Sequence, residues 1–244
     1  MKLMAMAAFP QELKYVLRNA SIVKKTEKGP FTIYVSRYLS HELTAVLTGI
    51  GPIGPESGLA EVIDWHGPDF IASIGFGGAL YEGAKKGELV WGEECRLAGS
   101  NEAVRFGAEN KKVFERLRLR LDISAGAIIT VGARTPKPKL VKTIPPQTRF
   151  PVCDMETFYM ERLAQGRGAP FFAIRSITDT LDEEIPEELF DVCDESGRYS
   201  AARALRAIVM NPGLIPASIR LGLGSAVASK SLFRAIKALV ETLQ

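Results

Sequence analysis

Leu43-Thr44-Ala45-Val46-Leu47-Thr48-Gly49-Ile50-Gly51-Pro52-Ile53-Gly54 is a short apolar run that ends in a glycine-rich turn. Residues 55–65 then carry a helical pattern, and residues 70–74 form a second apolar run ending in Gly75-Phe76-Gly77-Gly78. The same alternation extends outward. Strand-type runs occur at 3–8, 127–131 and 171–177, and helical patterns at 11–18, 110–121 and 156–165. Strands alternating with helices predict an α/β domain around a mostly parallel sheet. Near-continuous apolar strands fit a sheet covered by helices on both faces. Residues 22–25 and 31–36 add an antiparallel pair across Lys28-Gly29-Pro30.

The C-terminal part reads differently. Residues 199–210 and 214–243 carry no strand signal. Asn211-Pro212-Gly213 and Pro216 punctuate them, and Gly222 and Gly224 weaken the middle. Two or three helices are predicted, the last over 231–243, with Leu232, Ile236, Leu239 and Leu243 on one core-facing stripe. No repeat or low-complexity linker divides the 244 residues, so one domain is expected.

Composition excludes several classes. A hydrophobic share of 46% against 24% charged residues is that of a globular chain, not a disordered one. No apolar run reaches the length of a membrane span, and the apolar N-terminus stops at Phe9-Pro10-Gln11-Glu12, too soon for a signal peptide. Cys95, Cys153 and Cys193 are odd in number and far apart, which argues against a disulfide framework or zinc site and for a reducing cytoplasm. With only His41 and His66, histidine-rich metal sites are excluded and no metal is expected. Charge is uneven. From residue 197 onward seven basic residues face Glu241 alone, which predicts either a solvated helical face or attraction to an anionic surface. Aromatic interleaving is lacking, so nucleic acid is not an expected partner.

Gly49-Ile50-Gly51-Pro52-Ile53-Gly54 matches the spacing of a dinucleotide fingerprint. That reading needs an acid at the end of the next strand to hold a ribose hydroxyl. The next strand ends in Gly75-Phe76-Gly77-Gly78, and Asp69 lies at its wrong end, so no nicotinamide or flavin cofactor is expected. Glycines at two adjacent strand ends instead predict a pocket where backbone approaches a ligand closely.

Three acids stand where strands end or helices begin: Glu12, Glu156 and Asp179. Each alone has a simpler explanation. Glu12 and Glu156 suit the first turn of a helix, and Asp179 suits a turn cap. Together they predict a strand-end cleft with several carboxylates and no histidine, suited to acid–base work on a neutral, hydroxyl-rich substrate.

The ordered set Glu12, Gly49-Ile50-Gly51, Gly75-Phe76-Gly77-Gly78, Asp154-Met155-Glu156 and Ser176-Ile177-Thr178-Asp179 resembles the nucleoside phosphorylase/nucleosidase superfamily, in particular its 5'-methylthioadenosine/S-adenosylhomocysteine nucleosidase branch. The resemblance spans roughly residues 1–182, with 183–244 as a helical extension. It implies a central mixed sheet, cytoplasmic location, a homo-oligomer and cleavage of a ribosyl N-glycosidic bond. It also implies roles. Asp179 delivers a proton toward N7 of a purine, which requires a carboxyl kept protonated by burial or by sharing a proton. Glu156 accepts hydrogen bonds from the ribose hydroxyls and stabilises the ribose cation. Met155 packs on the sugar, and Glu12 activates water. Phe76, Gly75, Gly77, Gly78 and Ser176 complete the substrate-binding set.

Many phosphorylases of the superfamily carry a Gly-Asp-Pro-x-Arg segment after the first strand, whose arginine grips phosphate. Here that place reads Phe9-Pro10-Gln11-Glu12-Leu13-Lys14, which favours water over phosphate. Lys14 and Arg134 keep phosphate open as a co-substrate. Phe76 replaces a usual serine, and Val131-Gly132-Ala133-Arg134-Thr135-Pro136-Lys137-Pro138 lacks the usual base-stacking groups. The long tail, with Asp194-Glu195-Ser196-Gly197-Arg198 and Met210-Asn211-Pro212-Gly213, resembles the hopanoid-associated phosphorylase-like subgroup. That implies adenosylhopane, an adenosine with a large apolar 5' substituent, as substrate, and peripheral contact of the basic helices with the inner membrane surface.

Overall fold

The computed structural model describes residues 1–189 and 200–243. Its first strand, β1 (Lys2–Ala7), shows why the apolar runs are unbroken. Leu3, Ala5 and Ala7 belong to one core cluster, Met4 and Met6 to another, and all five are buried. A strand buried on both faces has no solvent side to mark with polar residues. β1 lies between β4 (His41–Leu47) and β5 (Phe70–Ala79), parallel to both. Helices α1 (Pro10–Asn19), α3 (Ala108–Leu117) and α7 (Ile215–Thr242) cover one face, and α2 (Leu59–His66) and α5 (Thr157–Ala164) the other.

The remaining strands are β2 (Ser21–Lys28), β3 (Phe31–Tyr38), β6 (Leu89–Leu97), β7 (Ala103–Arg105), β8 (Ile123–Thr130), β9 (Val152–Asp154) and β10 (Phe171–Asp179). The sheet order is β10-β6-β8-β9-β5-β1-β4-β3-β2, with β7 on β6. Because β10 also pairs with β5, the strands β5, β10, β6, β8 and β9 close into a ring. The expected mixed α/β sheet is therefore present, with five pairings parallel and five antiparallel. β6 escapes a sequence reading because Gly92, Glu93 and Glu94 interrupt its apolar pattern.

Two expectations are corrected. Gly75-Phe76-Gly77-Gly78 is not a turn after residue 74, because β5 continues to Ala79. Gly78 pairs with Asp179 on β10 and Cys153 on β9, and a Cβ there would fall 2.8 Å from Asp179 Oδ2 and 3.0 Å from Lys137 Cε. Here glycine serves crowding. The tail is also less broken than its glycines suggest. After α6 (Ala201–Met210), α7 runs without interruption through Gly222 and Gly224, instead of beginning a separate helix at 231. A Cβ on Gly224 would lie 2.3 Å from the carbonyl oxygen of Thr178, so this glycine lets the helix touch β10 beside Asp179. The expected stripe of Leu232, Ile236 and Leu239 is fully buried. The segment Asp194–Arg198 of the sequence reading and Cys193 lie outside the described residues. Among the described residues no helix is long and apolar enough to cross a membrane.

The two helix glycines therefore predict opposite outcomes. Gly222→Ala meets nothing within 4 Å and gains helix propensity, raising stability by roughly 0.5–1 kcal/mol. Gly224→Ala forces α7 off β10 and costs about 1–3 kcal/mol. Urea denaturation of the two variants checks the contrast.

Candidate active site

Glu12 lies in the first turn of α1, where Pro10 starts the helix and Phe9 precedes it. Its Oε2 accepts the Phe9 N–H at 2.7 Å, so it does cap its own helix. Its Oε1 accepts the Phe76 N–H at 2.7 Å, which ties α1 to β5. The carboxyl is 4% exposed, and burial pushes it up from 4.5 to about 7 against the opposing pull of these amides and Arg175.

Glu156 precedes the first turn of α5. Its Oε1 accepts the Gly51 N–H at 2.9 Å and its Oε2 the Met155 N–H at 3.2 Å. Gly51 has φ of 101°, a left-handed conformation that suits glycine and aims this amide. Burial, then the charges of Asp154 and Glu12, push Glu156 up to about 8. Both glycine segments thus use backbone amides to hold glutamates.

Asp179 ends β10. Thr178 Oγ1 donates to its Oδ1 at 2.6 Å, and Lys137 Nζ forms an ion pair with its Oδ2. Lys137 begins α4 (Lys137–Val141), is buried, and also donates to the Thr180 carbonyl at 2.5 Å. Asp179 is therefore one half of a buried lysine–aspartate pair.

The three acids line one cavity of about 620 Å³. Met155, Phe76, Gly77 and Gly78 line it as well. Gly75 and Ser176 do not. Gly75 lies behind the wall, where a Cβ would sit 3.0 Å from Glu12 Oε1 and 3.3 Å from the Arg175 guanidinium. Ser176 is fully buried at the middle of β10 between Phe76 and Leu89, short of the end where Thr178 and Asp179 meet the cavity. Neither histidine lines it.

Sequence reasoning missed two groups. Lys137 sits in the segment singled out for the base pocket, yet nothing in its neighbourhood marks it as an ion-pair partner of Asp179. Arg175 carried a signal, a lone cation inside a buried apolar strand. It is 2% exposed, and its Nη2 donates to Asp154 Oδ2 at 2.6 Å and to Ser73 Oγ at 2.8 Å. Asp154 in turn accepts from Thr130 Oγ1 at 2.6 Å and from the Thr157 N–H at 3.0 Å. This network stands directly behind Glu12 and Glu156.

Residues 2–210 match the family model described as the phosphorylase superfamily. The chain belongs to this superfamily. A relative, the 5'-methylthioadenosine/S-adenosylhomocysteine nucleosidase of Buchnera aphidicola subsp. Schizaphis graminum, is 23% identical over 201 residues, covering 75% of this chain and 85% of the relative. Among solved structures, the 5'-methylthioadenosine/S-adenosylhomocysteine nucleosidase from Neisseria meningitidis in complex with methylthio-immucillin-A aligns with a TM-score of 0.73 at 16% identity, covering 98% of both chains. The futalosine hydrolase of Helicobacter pylori aligns with a TM-score of 0.71 at 15% identity, covering 99% of this chain and 97% of that one. These structures share the fold of this superfamily member.

Two measurements probe the site's energetics. Glu12 stays protonated in the folded chain where the unfolded chain has already ionised. Folding stability therefore declines as pH rises from 4.5 to about 7. Relative to Glu12→Gln, the wild type loses about 3 kcal/mol across that window, read from denaturation at a series of pH values. Arg175→Met leaves Asp154 buried without its cation and destabilises by about 3–5 kcal/mol in the same assay.

Proposed function

We propose that this superfamily member hydrolyses the N-ribosyl bond of a 5'-substituted adenosine. The observation that carries the reading is the convergence of Glu12, Glu156 and Asp179 on one cavity, with the two glutamates held by backbone amides. Cleavage breaks the bond from C1' of ribose to N9 of the base, leaving cationic character on the sugar. Glu156 faces the ribose, accepts its hydroxyl protons in hydrogen bonds, and offsets that charge when ionised. Glu12 takes a proton from water as the water oxygen bonds to C1'. The Asp179–Lys137 pair supplies the proton that the departing purine takes at N7. Met155 packs against the sugar.

Water is favoured over phosphate by the same hydrogen bonds. The amides of Gly51 and Phe76, which would suit an anion, already donate to glutamates. Glu12 and Glu156, where ionised, also repel a third anion. Of the cations lining the cavity, Lys137 pairs with Asp179, Arg134 donates to the Ile185 carbonyl at 2.7 Å, and Lys14 is exposed.

The 5' substituent we infer is large and apolar, adenosylhopane being the specific version. The cavity does not stop at a ribose-sized space. It extends to Leu189, to Ala204 and Ile208 of α6, and to Leu221 and Ala226 of α7, and Phe76 adds an aromatic wall. A small 5'-methylthio group leaves most of that apolar surface unfilled. Methylthioadenosine or S-adenosylhomocysteine remains the second reading, supported by the name of the Buchnera relative.

A panel of 5'-substituted adenosines, with and without inorganic phosphate, scored for released adenine, tests this reading. Adenine release without phosphate is expected, increasing with the apolar bulk of the substituent. Strict phosphate dependence overturns the hydrolytic step. Asp179→Asn and Glu12→Gln should each lower kcat about a hundred- to ten-thousandfold while ligand binding persists. Wild-type kcat/KM should rise with pH through about 7 as Glu12 ionises.

A further inference from the structure

Of the thirteen large hydrophobic side chains exposed among the described residues, seven fall between Leu205 and Val227. They are not scattered. Ile215, Ile219, Leu223 and Val227 recur at every fourth position of α7, which puts them along one side of the helix. Leu205 and Val209 repeat the spacing on α6. Leu205 and Leu223 are each 64% exposed, far more than a core stripe allows. The charge carried by this stretch of the chain has one sign. Arg203, Arg206, Arg220 and Lys230 are exposed, and residues 200–240 contain no aspartate or glutamate.

We propose that this outer face of α6 and the first half of α7 docks on an anionic lipid bilayer. An apolar helix side flanked by cations is the pattern that lies in a membrane interface, its aliphatic groups among acyl chains and its cations against headgroups. A second copy of the chain is the poorer occupant. Across a twofold axis it would set this cationic patch against a second patch of the same sign, and residues 200–240 offer no carboxylate in answer. The cavity adds a purpose. Ile208 of α6 and Leu221 of α7 line it from the same two helices, so docking seats its apolar end at the lipid. That purpose rests on the proposed function, whereas the docking does not.

The test uses the full chain and vesicles of phosphatidylcholine with or without phosphatidylglycerol. The wild type should sediment with the anionic vesicles at low salt and be released at high salt. The double variant Ile219→Glu/Leu223→Glu should lose binding by more than about tenfold. Arg206→Gln/Arg220→Gln should weaken it by about fivefold per residue removed. None of these four side chains lines the cavity, so release of adenine from soluble 5'-substituted adenosines should be unchanged in both variants. A wild type that stays in the supernatant with anionic vesicles at low salt overturns the proposal, as does unaltered binding by the Ile219→Glu/Leu223→Glu chain. Light scattering names the alternative. A wild-type dimer that ignores vesicles and becomes a monomer in that variant identifies the face as a self-interface, which also refutes lipid docking. A wild type that binds vesicles but releases no adenine from any member of the panel refutes the enzyme reading and leaves the docking surface standing.

Discussion

A guanidinium enclosed by a sheet must be answered by an anion, and Asp154 answers Arg175. That pair is the condition on which the surrounding geometry rests. Arg175 also donates to Ser73, joining β10 to β5, while Asp154 takes donors from Thr130 of β8 and Thr157 of α5. Four strands of the ring, β10, β5, β9 and β8, and a helix N-terminus are thereby fixed relative to one another. The cost of burying two charges is large, and a pair of aliphatic side chains would fill the space more cheaply. What the ion pair adds is direction. Its cation lies behind Gly75, in contact range of the space a Cβ would take beside Glu12, and it draws on both Glu12 and Glu156.

The two glutamates then sit between opposing influences. Burial drives each toward the neutral acid, whereas backbone amides and Arg175 favour the carboxylate. The resulting values, about 7 and about 8, lie near neutrality, where a carboxyl can both hold and release a proton. A base for water needs that property, and a surface glutamate at 4.5 is too weak a base for it. The same burial keeps solvent from screening Glu156 as charge develops on a sugar. Poising the site in this way works against stability above neutral pH, and the apolar clusters on both faces of the sheet have to offset it.

Much of this was legible in the chain. The apolar runs located β1, β4, β5 and β10 because strands buried on both sides leave a continuous signature. Glu12, Glu156 and Asp179 were legible because strand ends are where an α/β sheet gathers ligands. The failures share a cause, since each depends on a partner distant in sequence. Gly78 in β5 and Gly224 in α7 read as breaks, yet they are close approaches to Lys137, Asp179 and Thr178, none of which is a sequence neighbour. β6 was hidden because its Gly92 and glutamates suit a ring of strands and not a flat apolar layer. Lys137 had no local mark at all, since its role exists only through Asp179, 42 residues later. Gly75 and Ser176 share a motif with cavity residues but stand two positions earlier on their strands than Gly77 and Thr178, short of the ends that meet the cavity.

The tail packs directly on the cavity end of β10. Gly224 brings α7 onto the carbonyl of Thr178, whose hydroxyl donates to Asp179. Farther along the chain, Leu232, Ile236 and Leu239 anchor the same helix in the main core, with no exposed surface. The helix is thus rigidly held at its C-terminal half, touches the β10 end in its middle, and presents an apolar, cationic surface in its first half. A tail that merely completed a core would have no reason to keep Ile219 and Leu223 bare while Leu221 of the same helix lines the cavity. One helix thus joins the exposed apolar surface, the cavity wall and the neighbour of Asp179.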